Sequence, residues 1–397
     1  MSRPYFVLAG GYDTKNVGDY AMLSFLQSIL DNRGYDVKIL SRHRHQHLVD
    51  TYSASELIDN FEFNTRAESL GKFFNGFNYA DNPEHLHRLR QQLEGSKGLI
   101  IGGGRLLIDF SLDVMRGPLM YFATLVTLCR FLNIPVYIYA MTIVPNKTRE
   151  GEMWLRYIVD NSVRVAVRDE GSSKCLLLAG CNQKNITILP DPAYGLDWRR
   201  NEEPNTTMRA GLTVRLINNR WGGVPEEVYL KNMATVVRLL QERNVEVIGI
   251  PHQYYGIDNP NYDDRTIFEK INKLISFQYI DYEILDIRDY EKLYRSLRLL
   301  VGIRRHSFVF AALAGVPIFP FSENPNASRV CEELDTIKPL SLDCDLEILP
   351  KNLDIFLDNL DQHLLRQDMA LNNSSFNLQE RYANWLFCEA EVTRDII

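Results

Sequence analysis

The sequence predicts an α/β protein with two parallel-sheet domains and a C-terminal helical tail. Short apolar runs of strand length alternate with longer amphipathic stretches, as in repeated strand–helix–strand units. Glycines or charged residues stand directly after many of these runs. The alternation halts once, in the polar, proline-bearing stretch from Trp198 to Thr207, and then restarts. At 397 residues the chain is too long for one ordinary core, so two domains are expected.

Each element follows from its local pattern. Residues 5–9 (YFVLA) form a strand that runs into Gly10-Gly11, followed by a helix from about Asp19 to Asn32. Residues 37–40 are the next strand. Gly98-Leu99-Ile100-Ile101 leads into Gly102-Gly103-Gly104, and residues 136–140 form a strand that ends before Pro145. Residues 163–167 stop at Arg168-Asp169, a helix closes at Gly180, and residues 186–189 stop at Asp191-Pro192. After the linker, residues 212–216, 245–250, 299–302 and 316–319 read as strands. Helices are expected over 227–243, 290–297 and 307–314, the last closed by Gly315. From about Leu349 the tail reads as two amphipathic helices. The expected domains are 1–205 and 206–345, both Rossmann-like, with 346–397 as the tail. Two such domains facing a central cleft make a GT-B-like layout, an analogy of fold that carries no chemistry by itself.

Composition excludes several classes. An apolar fraction of 45% and a charged fraction of 24% are those of a folded globular chain, not a disordered one. A net charge of −7 with no long basic stripe argues against a nucleic-acid partner, so any anionic substrate needs a local basic pocket. No apolar run approaches the roughly 18 residues needed to span a bilayer. The opening run is also too short for a signal-peptide core, and a cytoplasmic protein is expected. The six cysteines have no CxxC spacing, so neither disulfides nor a zinc site is expected.

Ligands of open parallel sheets bind beyond the carboxyl ends of the strands, so the residues just after each strand are the candidates. Gly11, Asn16, Gly18 and Asp19 lie in the first such turn, which suits either a ligand loop or a helix-capping loop. Gly103 and Gly104 follow a buried strand, with Arg105 next and Asp109 beyond, and suit close ligand access or tight packing. Arg168 stands beside Asp169, where it can face a substrate or pair with Asp169 or Asp191. The strongest cluster is Gly302-Ile303-Arg304-Arg305-His306-Ser307, which opens an almost wholly apolar helix. Two guanidiniums and an imidazole there can bind phosphate or carboxylate and move a proton near neutral pH. An interface salt bridge with a capping histidine is the plainer alternative. Softer candidates are Arg215, with Asn218, Asn219 and Arg220 after it, and His252 in an aromatic strand-end segment. The histidine run Arg42 to His47 lacks a carboxylate cluster at ligand spacing, and no metal is expected.

In order and spacing, these motifs resemble the polysaccharide pyruvyl transferase family. The matching pieces are Gly11…Asn16-Val17-Gly18-Asp19, Ile100-Ile101-Gly102-Gly103-Gly104, Tyr139-Ala140-Met141 and Val167-Arg168-Asp169-Glu170-Gly171-Ser172. Asp191-Pro192-Ala193 and Gly302-Ile303-Arg304-Arg305-His306-Ser307…Ala314-Gly315-Val316-Pro317 complete the set. The likeness spans roughly Tyr5 to Phe321. It implies a GT-B-like fold, phosphoenolpyruvate as donor and a sugar or lipid-linked oligosaccharide as acceptor. It further implies transfer of a pyruvyl group as a ketal in surface polysaccharide biosynthesis, without a cofactor. The acceptor side falls to the first domain and the donor side to the second. The family's R-x-H element falls on Arg304 and His306, the implied catalytic pair, with Arg305 and Arg215 as further anion contacts. Two positions depart from the pattern: Tyr20 stands where relatives often carry an acid, and the tyrosine and lysine expected after the last strand are absent. Competing readings are a GT-B glycosyltransferase using a nucleotide-activated sugar and a non-catalytic glycan-binding member. Acidic ribose contacts for the former are limited to Glu283 and Asp286. Homodimer formation and peripheral membrane association stay open.

Overall fold

The computed structural model describes residues 3–41, 44–59, 83–109, 119–198, 207–217, 224–254, 262–322 and 325–388. Among the expectations above, Arg42, His43, Asn218, Asn219, Arg220 and nearly all of the linker lie outside these residues. The chain divides into two compact units. One holds residues 1–14, 22–195 and 377–397, the other residues 15–21 and 196–376.

The first unit is built on strands β1 (Tyr5–Ala9), β2 (Asp36–Ser41), β3 (Glu56–Asp59), β4 (Leu99–Gly104), β5 (Val136–Met141), β6 (Arg164–Val167) and β7 (Ile186–Ile188). All pair in parallel, in the order β3-β2-β1-β4-β5-β6-β7. Val7, Leu8, Leu99, Ile100 and Ile101 are wholly buried. Helices cover both faces of such a sheet, so its central strands read as continuous apolar runs without alternation.

The second unit repeats the plan with β8 (Arg209–Thr213), β9 (Glu246–Gly249), β10 (Gln278–Tyr279), β11 (Leu299–Gly302), β12 (Ile318–Ser322) and β13 (Leu340–Ser341). These are also parallel, in the order β10-β9-β8-β11-β12-β13. In each sheet the winding reverses between two central strands, β1/β4 in the first and β8/β11 in the second. The fold is GT-B.

Several boundaries differ from expectation. β8 ends at Thr213, so Arg215 lies in the following loop and not in the strand. The first helix spans Val17–Asn32, and residues 15–21 belong to the second unit. The tail is three helices, Leu349–Leu357, Leu360–Ser375 and Leu378–Phe387, and it is divided between the units. Gln367 fastens the middle helix by accepting from Ile318 N–H (3.0 Å) and donating to the Val316 carbonyl (3.1 Å). In the first unit, the Tyr382 hydroxyl donates to the Pro190 carbonyl (2.8 Å), and Arg164 reaches the last carbonyls of the final helix at Asn384, Trp385 and Cys388. A cation at that end satisfies orphan carbonyls and complements the dipole. No described helix is long and apolar enough to cross a membrane.

Candidate ligand site of the second unit

The winding reversal of the second sheet places the end of β8 beside the end of β11, the usual ligand position in such sheets. From β11 the chain passes through Ile303 and Arg304 into the helix Arg305–Ala314. Arg304 occupies the N-cap position in extended conformation (φ −85°, ψ 123°). Arg304, Arg305 and His306 therefore crowd the positive end of a ten-residue helix, where anions are favoured. From Ser307 to Ala314 every residue of this helix is buried, so it is fixed from all sides. A buried bond between the Thr213 and Ser307 hydroxyls (2.9 Å) ties its first turn to β8.

His306 lies against Gly18. A Cβ built on Gly18 would come within 1.8 Å of His306 Nδ1, so any other residue there would push the ring aside. The turn that presents Gly18 is closed by Asn16, whose side-chain oxygen accepts the Gly18 N–H (3.0 Å). Its carbonyl accepts from Asp19 (3.0 Å) and Tyr20 (3.2 Å). This is N-cap chemistry, and it starts the helix at Val17, two residues earlier than the sequence suggests. Asp19 is buried on the first turn.

The arginines are placed differently from one another. Arg304 donates through Nε to the Val214 carbonyl (3.0 Å), through one terminal nitrogen to Gln253 Oε1 (3.3 Å), and through the other to the Asp264 carboxylate. Its guanidinium is thus held by the protein's own groups. The cause is Asp264, a wholly buried carboxylate that needs a cation close by. Arg305 pairs with Glu333 at 3.3 Å, both side chains partly exposed. Such a pair is weak in water, so a more highly charged anion can take Glu333's place. Arg215 is half-buried two residues past β8, and its backbone N–H donates to the Tyr229 hydroxyl (3.3 Å).

His252 is buried in the second unit. Its Nε2 bonds the Tyr294 hydroxyl (2.6 Å), and its ring packs against Tyr290, Tyr294 and Phe310. Burial first, then the Arg304 charge and the His306 imidazole, hold its pKa well below the usual value. In the unfolded chain it would take a proton below about pH 6.5, while in the folded protein it does not. The contribution of neutral His252 is therefore whole above that pH and is lost as pH falls further. As pH falls below about 6.5, wild type should lose stability more steeply than His252→Phe. Urea titrations at several pH values would show it, and parallel slopes for the two proteins would refute the assignment.

The remaining sequence candidates belong to the first unit. Gly11 ends the loop after β1, its carbonyl accepting the Thr14 hydroxyl (2.7 Å) and N–H (3.1 Å). Gly103 and Gly104 close β4 with φ of +79° and +87°, which side-chain-bearing residues rarely adopt. Both glycine segments stand at the β1/β4 reversal. Asp109 is a loop clamp, accepting from Lys147 N–H (3.0 Å) and from Thr148 N–H (2.7 Å) and hydroxyl (2.6 Å). Arg168 pairs with Asp191 at 2.6 Å, with 3% and 0% of the side chains exposed. The turn after β6 folds the arginine inward onto the Asp191 that follows β7. Buried Tyr139 and Tyr382 feel both charges, and burial drives their hydroxyl pKa values well above the usual range.

Thr213, Asp264 and Tyr294 are not among the sequence candidates, while Gln253 stands in the strand-end segment of His252. Asp264 is the second acid of an Asp263-Asp264 pair at the start of a helix. Asp263 alone caps that helix, accepting the Arg265 N–H (2.9 Å), so its neighbour is free for another use.

A family model described as polysaccharide pyruvyl transferase matches residues 16–325. No curated protein is significantly similar in sequence. Among solved structures, Anabaena HepE in complex with UDP and glucose superposes with a TM-score of 0.66 at 9% identity, over 97% of this chain and 99% of that one. A putative UDP-N-acetylglucosamine 2-epimerase from Listeria monocytogenes gives 0.62 at 13% identity, over 99% of both chains. The UDP-GlcNAc 2-epimerase of Methanocaldococcus jannaschii gives 0.59 at 12% identity, over 96% and 98%. At these identities the likeness is one of fold.

Proposed function

Because this chain belongs to the polysaccharide pyruvyl transferase family, we propose that it transfers the pyruvyl group of phosphoenolpyruvate to sugar hydroxyls. The observation that carries the reading is the His306 imidazole, seated on Gly18 at the positive end of helix Arg305–Ala314. Phosphoenolpyruvate brings a phosphate and a carboxylate. Arg215 and Arg305 are the cations that meet them, with the helix terminus adding its dipole. Protonated His306 delivers its proton to the methylene carbon, which becomes the methyl group, while a sugar hydroxyl bonds to the central carbon. Phosphate then leaves with its bonding electron pair, and a second hydroxyl closes the ketal. The two hydroxyl protons end on the imidazole and on phosphate, which restores His306 for the next turnover. Arg304 acts by holding the site together and not by touching the donor. The glycine segments at the β1/β4 reversal, with Gly11, Gly103 and Gly104, serve the acceptor, and the reaction takes place in the cytoplasm.

Calorimetric titration with phosphoenolpyruvate tests the donor assignment. Wild type should bind it saturably, and Arg215→Ala should weaken binding roughly 10- to 100-fold, the worth of one charge-assisted contact. Binding of a UDP-sugar but not of phosphoenolpyruvate would overturn the reading in favour of glycosyl transfer.

A further inference from the structure

The carboxylate of Asp264 is wholly buried beside the candidate site, yet helix capping does not account for it, since Asp263 does that work. One of its oxygens accepts the backbone N–H of His252 (2.9 Å) and of Gln253 (3.1 Å). The other pairs with Arg304. Gln253 returns the connection, its carbonyl accepting the Asp264 N–H (3.0 Å). Its side-chain oxygen accepts from Arg304 (3.3 Å) and from Asn16 Nδ2 (3.4 Å). The backbone completes the join: Val17 N–H donates to the His252 carbonyl (3.0 Å), and Tyr254 N–H donates to the Lys15 carbonyl (3.3 Å).

Two separate things therefore depend on one carboxylate. It sets the guanidinium of Arg304, two residues before His306. It also shapes the 252–254 strip on which residues 15–17 are laid, and that turn carries Gly18 to the imidazole. A single rigid group between both supports of a reacting side chain is the arrangement that fixes its direction.

We infer that Asp264 is a positioning residue for His306, acting through Arg304 on one side and through the Gln253–Asn16 strip on the other. The inference deepens the pyruvyl-transfer reading and rests on it for its catalytic meaning. Only neutral or charge-keeping changes separate geometry from charge, so two variants are needed, Asp264→Asn and Asp264→Glu. The second retains a buried anion for Arg304 but shifts its oxygens by one methylene.

Residue-resolved hydrogen exchange on the whole chain is the first measurement. The Val17 and Gln253 amides should lose roughly tenfold or more in protection in both variants. Val236 and Val237, in helix Glu226–Glu242, should keep theirs. Phosphate release from phosphoenolpyruvate is the second, with kcat expected to fall on the order of 10²-fold in both variants while KM changes little. Unchanged protection at Val17, or lost protection with wild-type kcat, overturns the inference. If Asp264→Asn fails to fold, Asp264→Glu carries both measurements. A wild-type protein inert toward phosphoenolpyruvate would sink the functional reading instead, leaving the exchange data to decide the positioning.

Discussion

Replacing His306 by alanine should lower phosphate release from phosphoenolpyruvate by roughly 10²- to 10⁴-fold, the usual worth of a positioned general acid. Donor affinity should change far less, because the proposed contacts to the phosphate and carboxylate are Arg215, Arg305 and the helix terminus. The loss should also appear without any change at the imidazole itself. Gly18→Ala would place a methyl group 1.8 Å from the present position of His306 Nδ1, so the ring must leave its seat. That variant should approach the alanine mutant in kcat and keep its donor binding. Steady-state phosphate release, with calorimetry on the same preparations, separates the two parameters. Wild-type turnover in His306→Ala would remove the histidine from the chemistry.

The second large effect is on stability and arises in the first unit. Arg168→Ala would leave the Asp191 carboxylate buried without its cation, at 0% side-chain exposure. Breaking a buried pair from one side typically costs about 3–5 kcal/mol. For a unit of this size that lowers the melting temperature by roughly 6–20 °C. Replacing both residues, as in Arg168→Met with Asp191→Leu, should recover much of the loss, since neither charge then remains in the core. Scanning calorimetry of the three proteins would decide it. A single mutant within about 1 kcal/mol of wild type would mean that water or a rearranged side chain reaches Asp191.

Much of the architecture is legible because strand-end punctuation is local. Ile100-Ile101 before three glycines, and Val301-Gly302 before two arginines and a histidine, announce both the sheet and the ends of its strands. Leu212-Thr213-Val214-Arg215-Leu216 alternates like a strand, which draws the expected β8 past its observed end at Thr213. The real strand begins at Arg209 and includes Gly211, which has no side chain to show a pattern. The break between the last two tail helices has no glycine to signal it, since Asn377 takes the left-handed conformation there (φ 49°). Helix Leu119–Phe131 is apolar almost all round and so has little periodicity to read.

In the site, the residue types were readable but their partners were not. Arg304 stands out in the sequence beside Arg305 and His306. Its tie to Asp264, 40 residues away in sequence, exists only once β8, β9 and β11 are side by side. Arg168 and His252 show the reverse case, polar residues after strands that turn into the core. A sequence marks a strand end without saying which way the side chain faces there.

The division of the tail has a consequence for how the chain is made. The unit that contains residue 3 also needs Tyr382 and Trp385, which emerge from the ribosome only after all of residues 196–376. At ordinary synthesis rates that interval is on the order of 10 to 40 seconds. The second unit needs only residues 196–376 and the early segment 15–21, which is already present, and can close first. Order of synthesis and order of completion are thus opposite. The half begun first waits with its Phe6–Tyr35 aromatic cluster uncovered until Phe387 arrives to stack on Tyr35.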